Sequence, residues 1–453
     1  MHIRVHTIID GLVVATSVTL ACVATPTIIA NTDFVGSSVV GVAIALSSAA
    51  TLRLIARRIV NRVLPVPRMR GFELQERKLK HTFECFSNRT TRKEETQTTR
   101  RHPWNVGATF ARIDNSLPAL TVFYPCKAAT ADVCGAPWLP FTDVRYAHEI
   151  ARYGGFPAWL ANHQLDVTMP NVFKCSVPFV SPKCETMHVV IFSHGLAGHR
   201  HMYSSLLQSV VSNFGDANVA AFALEHRDGT ACFARCDEQD KTGIVYKRPP
   251  RDEPEKGVED PCLVFRRNQM ETRLRDIDQV IQWIETGGLL QFMDSKCAYD
   301  QIKLHLIGHS FGAATVLEAG LRLLSPKTFH RQCFLGSIIC FDLWAWPVKE
   351  EVAKLIDNCR AINNEVRFVF CDSEQWMRWK EHQQYMIGDL LPALVKIGSK
   401  VQYFHTPGTD HISASDMALL TPRFGRKKYV DQNSFDDRAA MREWCTVVLA
   451  TIT

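Results

Sequence analysis

Residues 308–312 (GHSFG) have the spacing Gly-x-Ser-x-Gly, which sets a serine hydroxyl between two glycines. The apolar run 302–307 precedes this segment, and a helical pattern that opens with Gly312 follows it. A strand, a sharp turn and a helix in this order are typical of a serine exposed as a nucleophile. Small residues are needed because the turn brings the helix backbone close to neighbouring strands. The pattern predicts Ser310 as a nucleophile, with Gly308 and Gly312 shaping its turn.

A reactive serine needs partners, because its hydroxyl is a poor nucleophile at neutral pH unless a base takes its proton and an acid orients that base. In this strand–helix order the acid follows the nucleophile and the histidine comes last. Asp342 (in CFDLWAW) and Asp372 (in VFCDSEQ) both follow apolar runs, so both remain candidates for the acid. His411 follows the last apolar run through a turn and is the predicted base. His405 is the competing histidine.

The reaction intermediate of an attacked ester carries an oxyanion, which backbone amides usually stabilise. Residues 193–198 (SHGLAG) directly follow an apolar run, where a loop of that kind is expected. We therefore predict the amides of Leu196 and Phe311 as the oxyanion donors. Three histidines nearby, His194, His199 and His201, have no acidic or cysteine partners in the sequence, so no metal site is predicted.

The elements that must position these residues are short apolar runs rich in β-branched and aromatic residues. Continuous runs of this kind are typical of strands buried on both faces of a parallel sheet. Helical patterns lie between them, as in 265–284, where apolar residues recur at spacings of three and four. The alternation predicts an α/β fold with a doubly wound, mostly parallel sheet, in a catalytic domain over residues 102–453. The predicted strands are 188–193, 218–224, 302–307, 336–341, 366–371 and 400–404.

The composition is that of a globular protein with ample material for a core: 453 residues, 46% hydrophobic and 22% charged. Residues 1–70 hold seven arginines against two aspartates, so they carry +5 of the net charge of +6. A protein that binds nucleic acid needs a basic face on its folded body. The remaining residues sum to only +1, which argues against nucleic acid as a partner.

Two uncharged segments near the N terminus, residues 11–30 and 34–52, are each long enough to cross a bilayer core of about 30 Å at about 1.5 Å per residue. Residues 31–33 (NTD) separate them as a polar turn. We therefore predict a transmembrane hairpin within a membrane anchor over residues 1–70. Residues 71–101 are polar and charged, which is typical of a juxtamembrane linker.

Six arginines and no acidic residue lie within residues 53–70. Because positive residues beside a span stay in the cytosol, this cluster predicts that the catalytic domain faces the cytosol. Residues 1–24 also fit a cleaved signal peptide, after which the second segment would stop transfer and give the same side. The domain becomes lumenal only if the second segment does not span. A lumenal domain is thus the alternative.

The fifteen cysteines do not decide between these compartments. Three short spacings could close disulfide loops in the lumen, whereas buried free thiols explain cysteines inside apolar runs equally well. A single glycosylation sequon, Asn88 with Thr90, would matter only in the lumen. The short spacings are Cys126 to Cys134, Cys175 to Cys184 and Cys232 to Cys236.

Over roughly residues 104–424 the chain resembles the platelet-activating factor acetylhydrolase family, the group VII phospholipases of the A2 type. The likeness lies in six segments in the same order: FSHGLAGHRHMYS, AAFALEHRDGT, FRRNQM, LIGHSFGAATV, ICFDLWAWP and GTDHISASD. The resemblance implies an α/β-hydrolase with Ser310 as nucleophile, Asp342 as acid and His411 as base. It also implies oxyanion amides from Leu196 and Phe311 and no need for calcium or another cofactor.

The function expected from this resemblance is hydrolysis of the sn-2 acetyl or short, oxidised acyl ester of phospholipids. A general short-chain carboxylesterase or lipase, and a catalytically silent membrane-tethered protein with a hydrolase fold, are the alternatives. The expected partners are the phospholipid substrate and the membrane, which the hairpin would contact. No obligate protein partner is evident. The two apolar spans depart from the family pattern, whose members are secreted or cytosolic.

Overall fold

The computed structural model describes part of the chain, and all the described residues belong to one compact unit, Pro67–Thr453. The predicted spans 11–30 and 34–52 lie outside the described residues, as does most of the predicted linker. None of the helices that the structure describes combines the length and apolar character needed to cross a membrane. The described residues are 84–85, 104–109, 117–126, 134–174, 178, 185–215, 217–250, 259–293, 299–324, 333–359, 366–421 and 437–453.

The apolar runs form the strands of one large sheet, and all six strands predicted from the sequence are present. In chain order the strands are β1 (Glu84–Cys85), β2 (Asn105–Ala108), β3 (Leu120–Cys126), β4 (Cys134–Pro137), β5 (Thr168–Lys174), β6 (Thr186–Ser193), β7 (Val219–Leu224), β8 (Phe233–Ala234), β9 (Ile244–Val245), β10 (Gln301–His309), β11 (Cys333–Phe341), β12 (Arg367–Ser373) and β13 (Lys400–Thr406).

The large sheet has eleven strands in the order β1-β13-β12-β11-β10-β6-β7-β3-β2-β5-β4, and β8 pairs with β9 separately. The six strands from β13 to β7 in this order are parallel to one another. Antiparallel pairs occur towards both ends of the sheet, at β3 with β7 and at β1 with β13. Because β6, β10 and β11 are adjacent and parallel, their carboxyl ends lie at the same edge of the sheet.

α-Helices of at least one turn connect the strands. They are α1 (Val144–Tyr153), α2 (Ser204–Asn213), α3 (Pro261–Glu285), α4 (Gly288–Phe292), α5 (Phe311–Leu323), α6 (Lys349–Asn358), α7 (Glu374–Met377), α8 (Lys380–Gln383), α9 (Leu391–Lys396), α10 (Met417–Leu420) and α11 (Asp437–Ile452). Helix α3 covers the predicted 265–284 and starts earlier, because Pro261 occupies its first turn and the Asp260 side chain caps it by accepting from the Cys262 amide at 2.8 Å.

Helices cover both faces of the sheet. On one face α5 lies against β10 and β11, close enough that a Cβ added to Gly320 would sit 2.2 Å from Ile338 Cδ1. On the other face Trp444 of α11 contacts Phe341, with ring centroids 5.5 Å apart. Ile338 and Phe341 are an odd number of residues apart on β11, so their side chains point to opposite faces. The layers are those of the predicted α/β-hydrolase fold.

Two further observations concern the predicted linker and the cysteines. Strand β1 falls within the predicted linker and pairs with β13, with Glu84 opposite Tyr403. In the part of the chain that the structure describes, Cys232 and Cys236 carry free thiols.

Candidate active site

Ser310 lies in a strained turn between β10 and α5. Its backbone angles are φ 57° and ψ −117°, a region that residues with a side chain rarely adopt and that costs on the order of 1–3 kcal/mol. The Ser310 amide donates to the Phe341 carbonyl at 2.9 Å, and the Trp344 amide donates to the Ser310 carbonyl at 3.3 Å. These bonds join the turn to the end of β11. A strained serine at a strand–helix junction is the geometry expected of a nucleophile.

The two glycines of the pattern are required by close backbone contacts. A Cβ on Gly308 would lie 2.2 Å from the Gly312 carbonyl oxygen, and a Cβ on Gly312 would lie 2.0 Å from the Ser193 carbonyl oxygen. Neither neighbour can move aside like a side chain, because both are backbone atoms. The turn therefore packs directly on the end of β6, where the predicted oxyanion loop begins.

Asp342 and His411 form a hydrogen-bonded pair at the ends of β11 and β13. His411 Nδ1 donates to Asp342 Oδ2 at 2.9 Å. The Ser373 amide and hydroxyl donate to the two oxygens of the same carboxylate at 2.6 and 2.8 Å. Burial raises the pKa of Asp342, and the hydrogen bond from His411 opposes this shift. The bond assigns the His411 proton to Nδ1 and leaves the Nε2 lone pair available to a nucleophile.

Aromatic rings and an amide fix the position of His411, which is half-buried. The Trp376 ring lies parallel to the imidazole, with centroids 4.1 Å apart and planes 9° apart. The His309 ring contacts it from another side at 4.5 Å. Gln375 Oε1 accepts the His411 backbone amide at 2.9 Å. Because His309 immediately precedes Ser310, the imidazole lies next to the nucleophile turn.

Ser310 Oγ and His411 Nε2 do not yet share a hydrogen bond. Among the described residues, neither atom has a hydrogen-bond partner. Catalytic hydrogen bonds are often long without substrate and shorten in the reacting complex. No other group of the described residues therefore competes for the serine proton or for the lone pair of His411 Nε2.

The amides predicted as oxyanion donors are free in the described part of the chain. In the loop after β6, the amides of Gly195, Ala197 and Gly198 donate to Tyr203 Oη, the Thr230 carbonyl and the Gly195 carbonyl. The Leu196 amide, by contrast, has no acceptor among these residues.

The Phe311 amide is likewise without an acceptor in the described structure, since Phe311 is the first residue of α5. The positive end of the helix dipole adds to its attraction for an anion. Two unsatisfied donors beside Ser310 are what an oxyanion site requires.

Arg273 holds the oxyanion loop, although no motif in the sequence distinguishes it from the other arginines. Its Nη1 donates to the His194 carbonyl at 2.7 Å, and its Nη2 donates to Thr230 Oγ1 at 2.6 Å. The guanidinium is buried over the Phe311 ring, 4.8 Å from the centroid, and pairs with Asp228 at 3.1 Å. One side chain thus contacts the loop on one side and the first residue of α5 on the other.

A second Ser–His–Asp chain lies behind this loop. Ser193 Oγ is 2.9 Å from His226 Nε2, and His226 Nδ1 is 2.7 Å from Asp276 Oδ2. Ser193 is fully buried within β6, and Arg273 also donates to its hydroxyl at 3.2 Å. A substrate cannot reach this hydroxyl, so these three hydrogen-bonded side chains serve the packing of the loop.

The other residues considered from the sequence are placed elsewhere. Asp372 Oδ2 accepts from Tyr403 Oη at 2.6 Å and contacts His382 Nε2 at 2.8 Å. His201 is buried between Thr121 Oγ1 and the Trp138 carbonyl, both at 2.9 Å. His194 and His199 are also buried, and burial lowers their pKa. His405 lies within β13, whereas the histidine that pairs with the Asp342 carboxylate is His411.

The residues that could together ligate a metal ion belong to the same site. In the ranges that the structure describes, the group of possible ligands is His309, Asp342 and His411, whose donor atoms lie within 4.8 Å of one another. Asp342 and His411 already bind each other, and His309 Nδ1 is 2.8 Å from Tyr203 Oη. These bonds use Nδ1 of each histidine and leave Nε2 of each without a partner among the described residues, and the group coincides with the Asp342–His411 pair of the candidate active site.

Comparisons with known proteins agree with these observations. The family model described as platelet-activating factor acetylhydrolase, isoform II, matches residues 90–452. The platelet-activating factor acetylhydrolase of Cavia porcellus is 26% identical over 375 residues, which cover 73% of this chain and 78% of that protein. The one of Canis lupus familiaris is 25% identical over 290 residues, which cover 61% of each.

Among solved structures, a ferulic acid esterase from Streptomyces cinnamoneus superposes with a TM-score of 0.46 and 14% identity, covering 78% of this chain and 90% of that one. The family match spans most of the chain and includes each residue of the candidate active site. The chain belongs to the platelet-activating factor acetylhydrolase family, isoform II.

Proposed function

We propose that this protein is a serine esterase that hydrolyses the sn-2 acetyl or short, oxidised acyl ester of phospholipids, releasing a lysophospholipid and a carboxylate. The hydrogen bond between Asp342 and His411, formed beside the strained Ser310 turn, carries the proposal. The relatives from Cavia porcellus and Canis lupus familiaris, which match 73% and 61% of the chain, are named platelet-activating factor acetylhydrolases, which supports the substrate class.

In the first half of the reaction Ser310 Oγ attacks the sn-2 carbonyl carbon while His411 Nε2 accepts the hydroxyl proton. Asp342 holds the imidazole and balances its positive charge. The carbonyl oxygen becomes an oxyanion and accepts hydrogen bonds from the Leu196 and Phe311 amides. His411 then donates its proton to the departing glycerol oxygen, the ester bond breaks, and lysophospholipid leaves.

In the second half a water molecule replaces the lysophospholipid. His411 takes a proton from this water, which attacks the acyl carbon bound to Ser310 Oγ. The same two amides hold the second oxyanion. Collapse of this intermediate returns the proton to Ser310 and frees the carboxylate. No step requires a metal ion, so we expect the reaction to proceed without calcium.

The aromatic side chains beside the acid supply apolar surface for an acyl chain. Trp344 and Trp346 stack with ring centroids 5.7 Å apart, and Phe311 contacts Trp344 at the same distance. Trp344 and Trp346 are partly exposed, whereas Phe311 is buried. We assign these rings to the lining of the acyl site.

The experiment that tests the proposal compares wild type with Ser310→Ala on two phosphatidylcholines, one with an sn-2 acetyl group and one with a long sn-2 chain. We expect wild type to prefer the acetyl ester, with or without a chelator, and the variant to lose at least about a thousandfold in kcat. Retained turnover in a folded Ser310→Ala protein would end the proposal. Equal rates on both lipids and on simple esters would favour a general carboxylesterase.

A fluorophosphonate probe separates an enzyme from a catalytically silent protein, because only an activated serine reacts quickly with it. Wild type should be labelled and Ser310→Ala should not. Rapid labelling that survives the substitution would point to a different nucleophile.

We also propose that a hairpin of residues 11–30 and 34–52 attaches the enzyme to a membrane, with the catalytic domain in the cytosol. The proposal rests on the sequence: two uncharged apolar segments followed by six arginines within residues 53–70. Protease treatment of intact and permeabilised vesicles tests the orientation. Protection of the catalytic domain inside intact organelle vesicles would favour the lumenal alternative.

A further inference from the structure

Arg266 differs from the other buried arginines in the charge around it. Arg235 and Arg273 lie 2.7 and 3.1 Å from the carboxylates of Asp143 and Asp228, and Arg200 lies 3.4 Å from the carboxyl group of Glu225. Arg266 is only 3% exposed, yet no carboxylate of the described residues pairs with it. A buried guanidinium without a negative partner is costly, so this position favours an anionic ligand.

The hydrogen bonds of Arg266 leave one edge of its guanidinium nearly unused. Nη1 donates to Gln269 Oε1 at 2.7 Å, and Nη2 donates to Tyr246 Oη at 3.0 Å. The buried Nε has no partner in the described structure. Nε and Nη2 lie on the same side of the planar group and together match two oxygens of a phosphate. Of the described residues, only Tyr246 occupies this edge, and its hydroxyl is neutral.

Arg266 is separated from the nucleophile turn by one side chain. Its guanidinium carbon lies 5.9 Å from the centroid of the Trp344 ring. Trp344 in turn contacts the Phe311 ring, and its amide donates to the Ser310 carbonyl. The side chains of Trp344 and Tyr246 are both partly exposed, so a ligand at the site can reach the arginine by displacing the tyrosine hydroxyl.

We propose that Arg266 binds the phosphate of the phospholipid substrate through Nε and Nη2, displacing Tyr246 Oη. The phosphate is attached to the glycerol carbon next to the one that bears the sn-2 ester, so its site must lie a short way from Ser310. This inference rests on the proposed function and adds a group that selects phosphate-bearing esters. Arg266 thus determines specificity, and the acyl-transfer steps remain with Ser310 and His411.

The test compares substrates that differ only in the phosphate. Wild type and Arg266→Gln are assayed on phosphatidylcholine with an sn-2 acetyl group, on the diacylglycerol with the same chains, and on p-nitrophenyl acetate. We expect the variant to lose on the order of ten- to a hundredfold in kcat/KM on the phospholipid, chiefly through KM. The two phosphate-free esters should change by less than about twofold. Arg275→Gln, an exposed arginine on the same helix, is the matched control and should change none of the three.

A second variant keeps the inference testable if Arg266→Gln does not fold. Tyr246→Phe removes the hydroxyl that the phosphate must displace, so the phospholipid KM should fall by about two- to fivefold. A phospholipid KM that is unchanged or raised in Tyr246→Phe would overturn the proposed geometry. An equal loss on all three esters in Arg266→Gln, or no loss on any, would overturn the role of Arg266.

The experiments distinguish failure of the proposed phospholipid specificity from failure of the proposed role of Arg266. If wild type itself hydrolyses the diacylglycerol as well as the phospholipid, the proposed phospholipid specificity fails, and the role of Arg266 fails with it. If wild type prefers the phospholipid and Arg266→Gln keeps that preference, only the role of Arg266 is wrong.

Discussion

Replacing Asp342 with Asn changes one charge at the centre of the active site and almost no volume. The carboxylate accepts three hydrogen bonds, from His411 Nδ1 and from the Ser373 amide and hydroxyl. An Asn side chain keeps one oxygen for the Ser373 amide and turns its NH2 group towards His411. An NH2 group cannot accept from Nδ1–H, so the imidazole adopts the tautomer protonated at Nε2. In that tautomer His411 cannot take the Ser310 proton.

The expected loss is about four orders of magnitude in kcat, the size of effect seen when an acid of this type is neutralised. At about 1.36 kcal/mol for each factor of ten, this equals roughly 5.5 kcal/mol of transition-state stabilisation. The matched control is Asp372→Asn on the adjacent strand. The side-chain amide oxygen that this control introduces can still accept from Tyr403, so kcat should stay within about tenfold, while stability falls by about 1–3 kcal/mol.

The assay measures kcat on p-nitrophenyl acetate and the urea midpoint of each variant, so that inactivity is not confused with unfolding. The two variants should show opposite patterns, with Asp342→Asn folded and inactive and Asp372→Asn active and less stable. If Asp372→Asn inactivates the enzyme and Asp342→Asn does not, the acid is Asp372 and the reasoning from hydrogen bonds is wrong.

Three further variants test the surroundings of the site. Gly312→Ala places a methyl group 2.0 Å from the Ser193 carbonyl oxygen. We therefore expect the free energy of unfolding to fall by about 1–3 kcal/mol and Ser310 to react more slowly with the fluorophosphonate probe. Unchanged labelling would contradict the close contact. Arg273→Met leaves the buried Asp228 carboxylate without its positively charged partner and should cost about 3–5 kcal/mol in urea titrations. Adding Asp228→Asn should recover part of this loss, and no recovery would argue against the charge effect. Burial raises the pKa of Glu225 to about 8, so its proton is held more tightly in the folded state than in the unfolded state. From about pH 4.5 to pH 8 wild type should therefore lose stability relative to Glu225→Gln, by at most about 1.36 kcal/mol per pH unit, whereas parallel pH profiles would contradict this reasoning.

The sequence predicted the strands of the central sheet well, because strands buried on both faces are rich in apolar residues. Four of the six residues in each of the runs 302–307 and 336–341 are Ile, Leu, Cys or Phe, and the runs form the central strands β10 and β11. The sheet ends are harder to recognise. Strand β5 (Thr168–Lys174) carries Pro170 and Asn171, and β1 has only two residues within a polar tract. Neither segment has a hydrophobic pattern that distinguishes it from a loop.

The choice between Asp342 and Asp372 could not be made from the pattern of apolar runs alone. Both follow apolar runs, and the two strands are adjacent and parallel, so both carboxylates reach the same side of the sheet. Only the neighbours of each carboxylate separate them, since Asp342 contacts His411 whereas Asp372 contacts Tyr403 and His382. Arg273 was missed for a similar reason. Its spacing on α3 fits an ordinary helix, and its contacts lie 79 residues away at His194.

The pairing of β1 with β13 decides where the enzyme can be shortened. A protein cut at residue 102, where the apolar pattern alone would place the start of the domain, would leave the outer backbone groups of β13 without their partner. An unpaired strand at the border of a sheet can recruit the same strand from another molecule, which leads to aggregation. Since His411 follows β13 by five residues, disorder in that strand would also reach the catalytic base. A shortened catalytic fragment should therefore begin before Glu84.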